Sequence, residues 1–263
     1  MVDGPHLTTG WESDLPADDS LLRQFVFATA ERNAALAEAA GGRARSTSAA
    51  ALADAGSPIL FDNAVTLLAP TTAEGARRVV ADALDFFPAD IPFAVLSAWP
   101  IPEAGDLGIE LMGHPPFMFR PPGPAPVRPT DLAIRPVVDA AGLGDFWRTI
   151  VAAYPMPGTD SALARPTVLE SGVRLWVGYD GERAVGTAGA YVSHGVVDVE
   201  WISVYEDCRG RGFGQALSWT ATLADPGLPA VLIASDPGQP VYERMGYVRL
   251  TRMSMWFRPA RGA

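Results

Sequence analysis

A chain of 263 residues, 48% hydrophobic and 19% charged, can bury one large core or two modest ones. Its formal charge of -10 argues against nucleic-acid binding, which needs clustered cations, and makes a cationic substrate electrostatically welcome. The single Cys208 excludes an internal disulfide, His6, His114 and His194 stand at no zinc-ligand spacing, and no apolar run reaches the ~18 residues of a membrane span.

The first nineteen residues are polar and acidic, with no basic segment leading into an apolar stretch, so no signal peptide is read and a cytoplasmic location is expected. Every basic residue is arginine, a compositional bias that accompanies abundant Ala, Gly and Pro. A long helix is predicted over 19–39, with Leu22, Phe25, Val26, Ala30 and Leu36 on related faces and Gly41-Gly42 ending it. Strand 64–68 follows, then a helix capped by Thr72 and carrying Val79, Val80 and Leu84, then strand 92–98. Pro121-Pro122-Gly123-Pro124-Ala125-Pro126-Val127-Arg128-Pro129 reads as a semi-rigid linker. It sets the expected boundaries: an N-terminal α/β lobe over 1–120, a linker over 121–130 and a C-terminal domain over 131–263.

The C-terminal half opens with strand 132–137. Asp139 caps a helix through Phe146, Trp147 and Ile150 towards Tyr154, and a Pro/Gly/Ser loop runs over 155–166. Strands 174–179, 184–193 and 196–204 are joined at Asp180-Gly181 and His194-Gly195, both hairpin signals. A glycine-rich loop then leads into a helix over about 212–223, followed by buried strand 230–234, a short helix over 239–245, and strands 247–250 and 253–257. The fold class is α/β (α+β): a mixed, mostly antiparallel sheet flanked by helices, beside a second, smaller α/β lobe. The halves echo each other. A helix, a strand, a Gly and then Phe117-Met118-Phe119-Arg120-Pro121 in one half match a helix, a strand, a Gly and then Met255-Trp256-Phe257-Arg258-Pro259 in the other, which points to a decayed duplication.

The loop Arg209-Gly210-Arg211-Gly212-Phe213-Gly214 has the makings of an anion site. The first amides of a helix lack internal partners and lie at the positive end of its dipole. Glycines at 210, 212 and 214 keep Cβ atoms out of the way, and Arg209 and Arg211 add charged donors. A P-loop would need a lysine that this chain lacks. A dinucleotide fingerprint would need an acidic residue at a strand end about 20 residues on, but Asp225 lies in a Pro/Gly turn.

The segment 204–217 resembles the coenzyme A motif of the GNAT acetyltransferase superfamily, Arg/Gln-x-x-Gly-x-Gly/Ala, met by Arg209, Gly212 and Gly214. At the expected distance Val241-Tyr242-Glu243-Arg244-Met245-Gly246-Tyr247 resembles the family's Leu-Tyr-Glu-x-x-Gly-Phe, and the likeness runs over about 132–258. It implies transfer of an acetyl group from acetyl-CoA to a primary amine by direct attack, without a metal, and leaves a homodimer open. By resemblance, the backbone of Ile202, Ser203 and Val204 bonds the pantetheine arm, and the amides of Arg209, Gly210, Arg211, Gly212, Phe213, Gly214 and Gln215 take the pyrophosphate. Ser235 stands where the family often has a cofactor-contacting asparagine. Acyl transfer needs a base for the amine, an oxyanion donor and an acid for the thiolate. Glu200, itself or through water, is the expected base with Asp198 behind it, the Val204 N–H the oxyanion donor, and Tyr242 the acid. Trp147, Tyr154, Met156 and Trp176 are candidates for an acceptor pocket, and Cys208 reads as small filler. The alternatives are a catalytically silent coenzyme A sensor and a protein-interaction module. The N-terminal half has no counterpart of the glycine-rich loop, so one acyl-CoA site per chain is expected.

Overall fold

A computed structural model describes residues 20–101, 104–124, 130–154 and 161–260, leaving Met156 and the heart of the Pro-rich stretch, 125–129, outside. The N-terminal half runs α1 (Leu21–Ala39), β1 (Arg43–Ser46), β2 (Ala50–Asp54), β3 (Ala64–Leu67), α2 (Ala73–Phe86), β4 (Phe93–Ser97), β5 (Glu110–Gly113) and β6 (Pro116–Arg120). The C-terminal half runs β7 (Ala133–Pro136), α3 (Ala140–Ala153), β8 (Arg174–Asp180), β9 (Arg183–Ser193), β10 (Val196–Val204), α4 (Phe213–Thr222), β11 (Ala230–Ile233), α5 (Gln239–Arg244), β12 (Val248–Arg252) and β13 (Ser254–Arg258). Local chemistry sets the boundaries. Ser20, Thr72 and Asp139 each accept an amide three residues on and start α1, α2 and α3. His194 and Gly195 both take positive φ, 49° and 73°, as a two-residue primed turn between β9 and β10 requires. Strands β1, β2 and β5 go beyond the sequence expectation: β1 and β5 are short and largely exposed, and β2 is Ala-rich. Among the described residues no helix is long and apolar enough to cross a membrane.

Two sheets result, ordered β1-β2-β3-β4-β13-β5 and β12-β6-β11-β10-β9-β8-β7. Pairing is antiparallel except for β3 with β4 and β10 with β11, which occupy equivalent places. Laid side by side, the orders coincide strand for strand, with β7 the one addition. The halves exchange their closing strands: β6 lies between β11 and β12, and β13 lies between β4 and β5. Sheet membership therefore crosses the linker in both directions. The exchange gives the repeated aromatic-Arg-Pro segments a physical role. Met118 of β6 sits in the C-terminal core and Trp256 of β13 in the N-terminal one. Arg120 donates to the Met245 carbonyl (3.1 Å) and stacks over Trp219, while Arg258 donates to the carbonyls of Pro88 and Ile91 and stacks over Phe93. Each arginine ends a transplanted strand by satisfying carbonyls of the host lobe.

Helix α1 belongs to neither lobe alone. Phe25 and Val26 pack with Phe117, Val196 and Val231, and Leu36 and Ala37 pack with Phe146, Trp147 and Ile150 of the other half. One face of α1 is thereby laid against β10.

Candidate active site

Strand β10 is the axis of the site. It pairs with β11 only at Val197↔Ala230 and Asp198↔Val231 and then parts from it. Its register against β9 slips between Glu200 and Ser203, and Trp201 takes a φ of 52°, rare for a bulky side chain. Opposite the slip stands Gly189, where a Cβ would come within 2.4 Å of the Trp201 ring; glycine is what admits the bulge. Tyr205 donates to the Val185 carbonyl at 2.9 Å. Because bonded and non-bonded pairs alternate in an antiparallel ladder, the adjacent Val204↔Gly186 pair turns its N–H away from β9, towards the opening beside β11. The Ile202 carbonyl accepts the Tyr154 hydroxyl (2.6 Å) and the Val204 carbonyl accepts Arg209 Nε (3.3 Å), so both strand carbonyls are engaged by side chains. Ser203 is buried, its hydroxyl 2.7 Å from that of Thr187.

From β10 the chain passes through a short turn, Glu206–Cys208, into the glycine-rich segment. Gly210 and Gly212 adopt φ of 78° and 82°, and a Cβ on either would have no heavy atom within 4 Å. Gly212 is the N-cap of α4 and offers no side-chain oxygen, while the first amide bonded back into the helix is that of Ala216, to Gly212. An uncapped helix start facing open space has the donors and the room for a pyrophosphate. Gly214 is helical with ordinary space around it, so its contribution is smallness rather than conformation. Arg211 pairs with Asp180 and stacks over Phe213, whose own ring is buried, so Phe213 offers only its backbone to a ligand. Cys208 is buried, and burial with neighbouring Asp207 pushes its thiol up, away from nucleophile chemistry. The equivalent helix of the other lobe, α2, has its start closed by the Thr72 hydroxyl on the Gly75 amide (3.1 Å). The two lobes thus differ at the position where an anion would bind.

Tyr242 rises from α5 and meets the Tyr247 ring edge-on at 5.6 Å. Burial holds its phenol well above the usual range; the Tyr154 and Glu200 charges add to this and a hydrogen bond with Ser218 opposes it. Tyr242, Tyr154 and Glu200 therefore lie within electrostatic reach of one another. Ser235 is exposed; its hydroxyl and carbonyl accept the Gly238 amide (3.1 and 3.0 Å) and turn the chain into α5.

Between the lobes lies a cavity of about 260 Å³, walled by Glu200, Trp201, Tyr154 and Trp147 on one side and by Arg32, Phe61 and Asp62 on the other. Trp176 instead packs against the C-terminal core. The sequence reading missed Arg32 and Asp62. Arg32 is 5% exposed, with Nη1 2.7 Å from Glu200 Oε1 and Nε 3.5 Å from Asp198 Oδ2, and its guanidinium lies over the Trp201 ring. Asp198 is fully buried and also accepts from Thr29 (3.2 Å); burial raises its pKa, Arg32 pulls it down and Glu200 pushes it up. Only Glu200 of the two carboxylates lines the cavity. The one available signal for Arg32 was an arginine within an apolar helix pattern, and nothing local names its partners.

A mixed sheet whose bulged central strand splays from its parallel neighbour and feeds a glycine turn into a helix defines a GNAT-type α/β lobe. Residues 171–249, from just before β8 into β12, match the sequence model described as acetyltransferase (GNAT) domain. Similar solved structures include a GCN5-related N-acetyltransferase from Kribbella flavida (17% identity, TM-score 0.61, 88% of this chain and 95% of that one). Another is a putative GNAT-family acetyltransferase from Novosphingobium aromaticivorans (14% identity, TM-score 0.55, 86% and 97%). A third is a GCN5-related N-acetyltransferase from Sphaerobacter thermophilus (17% identity, TM-score 0.51, 89% and 93%). At these identities the likeness is one of fold, and it spans both lobes. No curated protein matches the chain. Residues 171–249 thus carry a GNAT domain, and the two sheets of the chain fit two partial GNAT-like halves.

Proposed function

We propose that the protein is an N-acetyltransferase that moves an acetyl group from acetyl-CoA to the primary amine of a small molecule held between the lobes. The observation that carries this reading is that β10 links the two parts of a site: its Glu200 and Trp201 wall the cavity, and its end, splayed from β11, runs through the Glu206–Cys208 turn into an uncapped, glycine-lined helix start. Acetyl-CoA supplies the activated acetyl group as a thioester. The Arg209 amide is committed to the Glu206 carbonyl (3.2 Å), so the amides from Gly210 to Gln215 hold the pyrophosphate, and the backbone of Ile202, Ser203 and Val204 holds the pantetheine arm once Tyr154 and Arg209 release their carbonyls. Ser235, exposed where α5 begins, is assigned to the cofactor by resemblance alone. Glu200 takes the proton from the amine, directly or through water, and Arg32 fixes its carboxylate towards the cavity. The Val204 N–H donates to the acetyl carbonyl oxygen. Tyr242, kept protonated by burial, gives its proton to the departing sulfur. The second lobe, with α2 capped by Thr72, holds no cofactor, so each chain binds one.

A panel of small amines, assayed for thiol release from acetyl-CoA, tests this. We expect turnover with at least one, and Tyr242→Phe should lower kcat by about 10²-fold with little change in the acetyl-CoA KM. Unchanged kcat in the variant removes Tyr242 from its role. Coenzyme A binding with no turnover on any amine makes the protein a sensor instead.

A further inference from the structure

Asp62 is a buried ionisable group on the cavity wall that the proposed chemistry does not use. It ends the turn Leu60–Asp62 before β3, is 9% exposed and lies on the cavity wall shared with Glu200. Two hydroxyls reach it: Ser57 Oγ at 2.6 Å and, from the other half of the chain, Ser161 Oγ at 2.6 Å, both on Oδ2. Those hydroxyls are committed donors. Ser57 Oγ already accepts the amides of Ile59 (3.2 Å) and Ala162 (3.3 Å), and Ser161 Oγ accepts that of Leu163 (3.1 Å), so each has its proton left to give. The turn itself is fixed by buried Asn63, whose amide donates to the carbonyls of Ser57, Ile59 and Pro92. Both serine protons are thus given to one carboxyl oxygen, Oδ2, and among the described residues no arginine or histidine forms an ion pair with the group. A buried carboxylate without a countercharge is costly, and one that borders a cavity has a place for the missing cation there.

Resting on the acceptor reading of the cavity, we infer that Asp62 anchors the far end of the acceptor, which is a compact diamine: one amine faces Glu200 for acetylation and the second, cationic amine pairs with Asp62. The walls between them supply what an apolar spacer needs, namely Phe61, Ile59, Trp147 and Trp201. Arg32 does not reverse the sign of the site, because its charge is already matched by Asp198 and Glu200. The volume, about 260 Å³, suits a small molecule and not a folded protein surface.

The test uses the full chain, with linear α,ω-alkanediamines of roughly three to six carbons and the matching monoamines, both in the thiol-release assay and by calorimetric binding without acetyl-CoA. One diamine should show a KM about tenfold or more below its monoamine, and Asp62→Asn should erase that gap by raising the diamine KM while kcat and the monoamine KM hold. Ser161→Ala should reproduce part of the loss, which guards against a folding artefact at position 62. Equal use of diamines and monoamines, or a preference that survives Asp62→Asn, overturns the inference and leaves the acetyltransferase reading standing. Diamine binding that Asp62→Asn abolishes, with no turnover of any amine, supports the inference and overturns the acetyltransferase reading.

Discussion

Asp62→Asn also makes a stability prediction that is independent of any substrate. Burial lifts the Asp62 carboxyl from 3.8 to about 6, with the Ser161 and Ser57 hydroxyls pulling the other way. The charged side chains sharing its cavity wall are Arg32 and Glu200, and neither contributes to that shift. Its folded pKa is above its unfolded one, so between those values the folded protein keeps a proton that the unfolded chain has released. The contribution to stability is complete below 3.8 and is lost as pH rises through about 6. A gap of about two pH units, at ~1.4 kcal/mol each, sets the cost of the ionised form near ~3 kcal/mol at neutral pH. Asparagine keeps the shape and an acceptor oxygen for both serines but gives weaker, uncharged hydrogen bonds. The variant should therefore be more stable than the parent at pH 7, by about 1–3 kcal/mol, or several degrees in Tm for a chain of this length. The gain should shrink as pH falls through 6 and vanish near 3.8. Urea unfolding followed by tryptophan fluorescence across that range measures it. A variant less stable at neutral pH, or a difference that does not move with pH, would refute the argument and make Asp62 a structural keystone between Ser57 and Ser161.

Two further perturbations probe the same opening. Arg32→Met leaves Asp198 and Glu200 facing each other without their shared cation; a loss of about 3–5 kcal/mol is expected in denaturant melts. A melt within error of the parent would mean that the pair is dispensable. Gly212→Ala puts a Cβ on a residue at φ 82°, at a backbone cost of about 1–2 kcal/mol, and intrudes where the pyrophosphate is proposed to sit. Its acetyl-CoA KM should rise while the amine KM holds, and the thermal shift given by acetyl-CoA at ~100 times its Kd, ~2.7 kcal/mol in the parent, should shrink.

How much of this could be read from the chain follows from which forces are local. Helix starts at Thr72 and Asp139, the His194-Gly195 turn and the glycine run before α4 are written within a few residues, because capping and positive φ are short-range demands. The echo of Phe119-Arg120-Pro121 in Phe257-Arg258-Pro259 was visible as a repeat. Its consequence, that each copy is a strand in the other half's sheet, was not, because both strands carry a short apolar run of the same kind and either host would bury it. Nor did spacing show that Asp198 and Glu200 face a helix from the other half. A carboxylate on an alternating strand looks solvent-facing until Arg32, far away in sequence, is brought over it. The acceptor wall was illegible for the same reason: Phe61 and Asp62 lie in a short turn of the N-terminal half with no motif, and meet Trp147, Trp201 and Ser161 only through the tertiary fold.

The strand exchange explains why a lobe without a cofactor loop is still bound to the site. If each half closed its own sheet, the capped α2 lobe would be a lodger, free to shift against β10. Instead β13 completes the sheet that carries β3 and β4, and follows β12 of the other sheet after a single residue, Met253, itself fully buried against α1. β6 does the converse, pairing with β11, the strand from which β10 splays. The turn bearing Asp62 and the strand bearing Glu200 are therefore tied through two exchanged strands and a shared helix rather than by surface contact alone. A group proposed to take a proton and a group proposed to hold the far end of the same molecule need such a fixed separation, since a misplacement of about 1 Å can cost on the order of a hundredfold in rate. On this argument the second lobe is the ruler against which the acceptor is measured, and loss of the anion loop at Thr72 costs it nothing in that role.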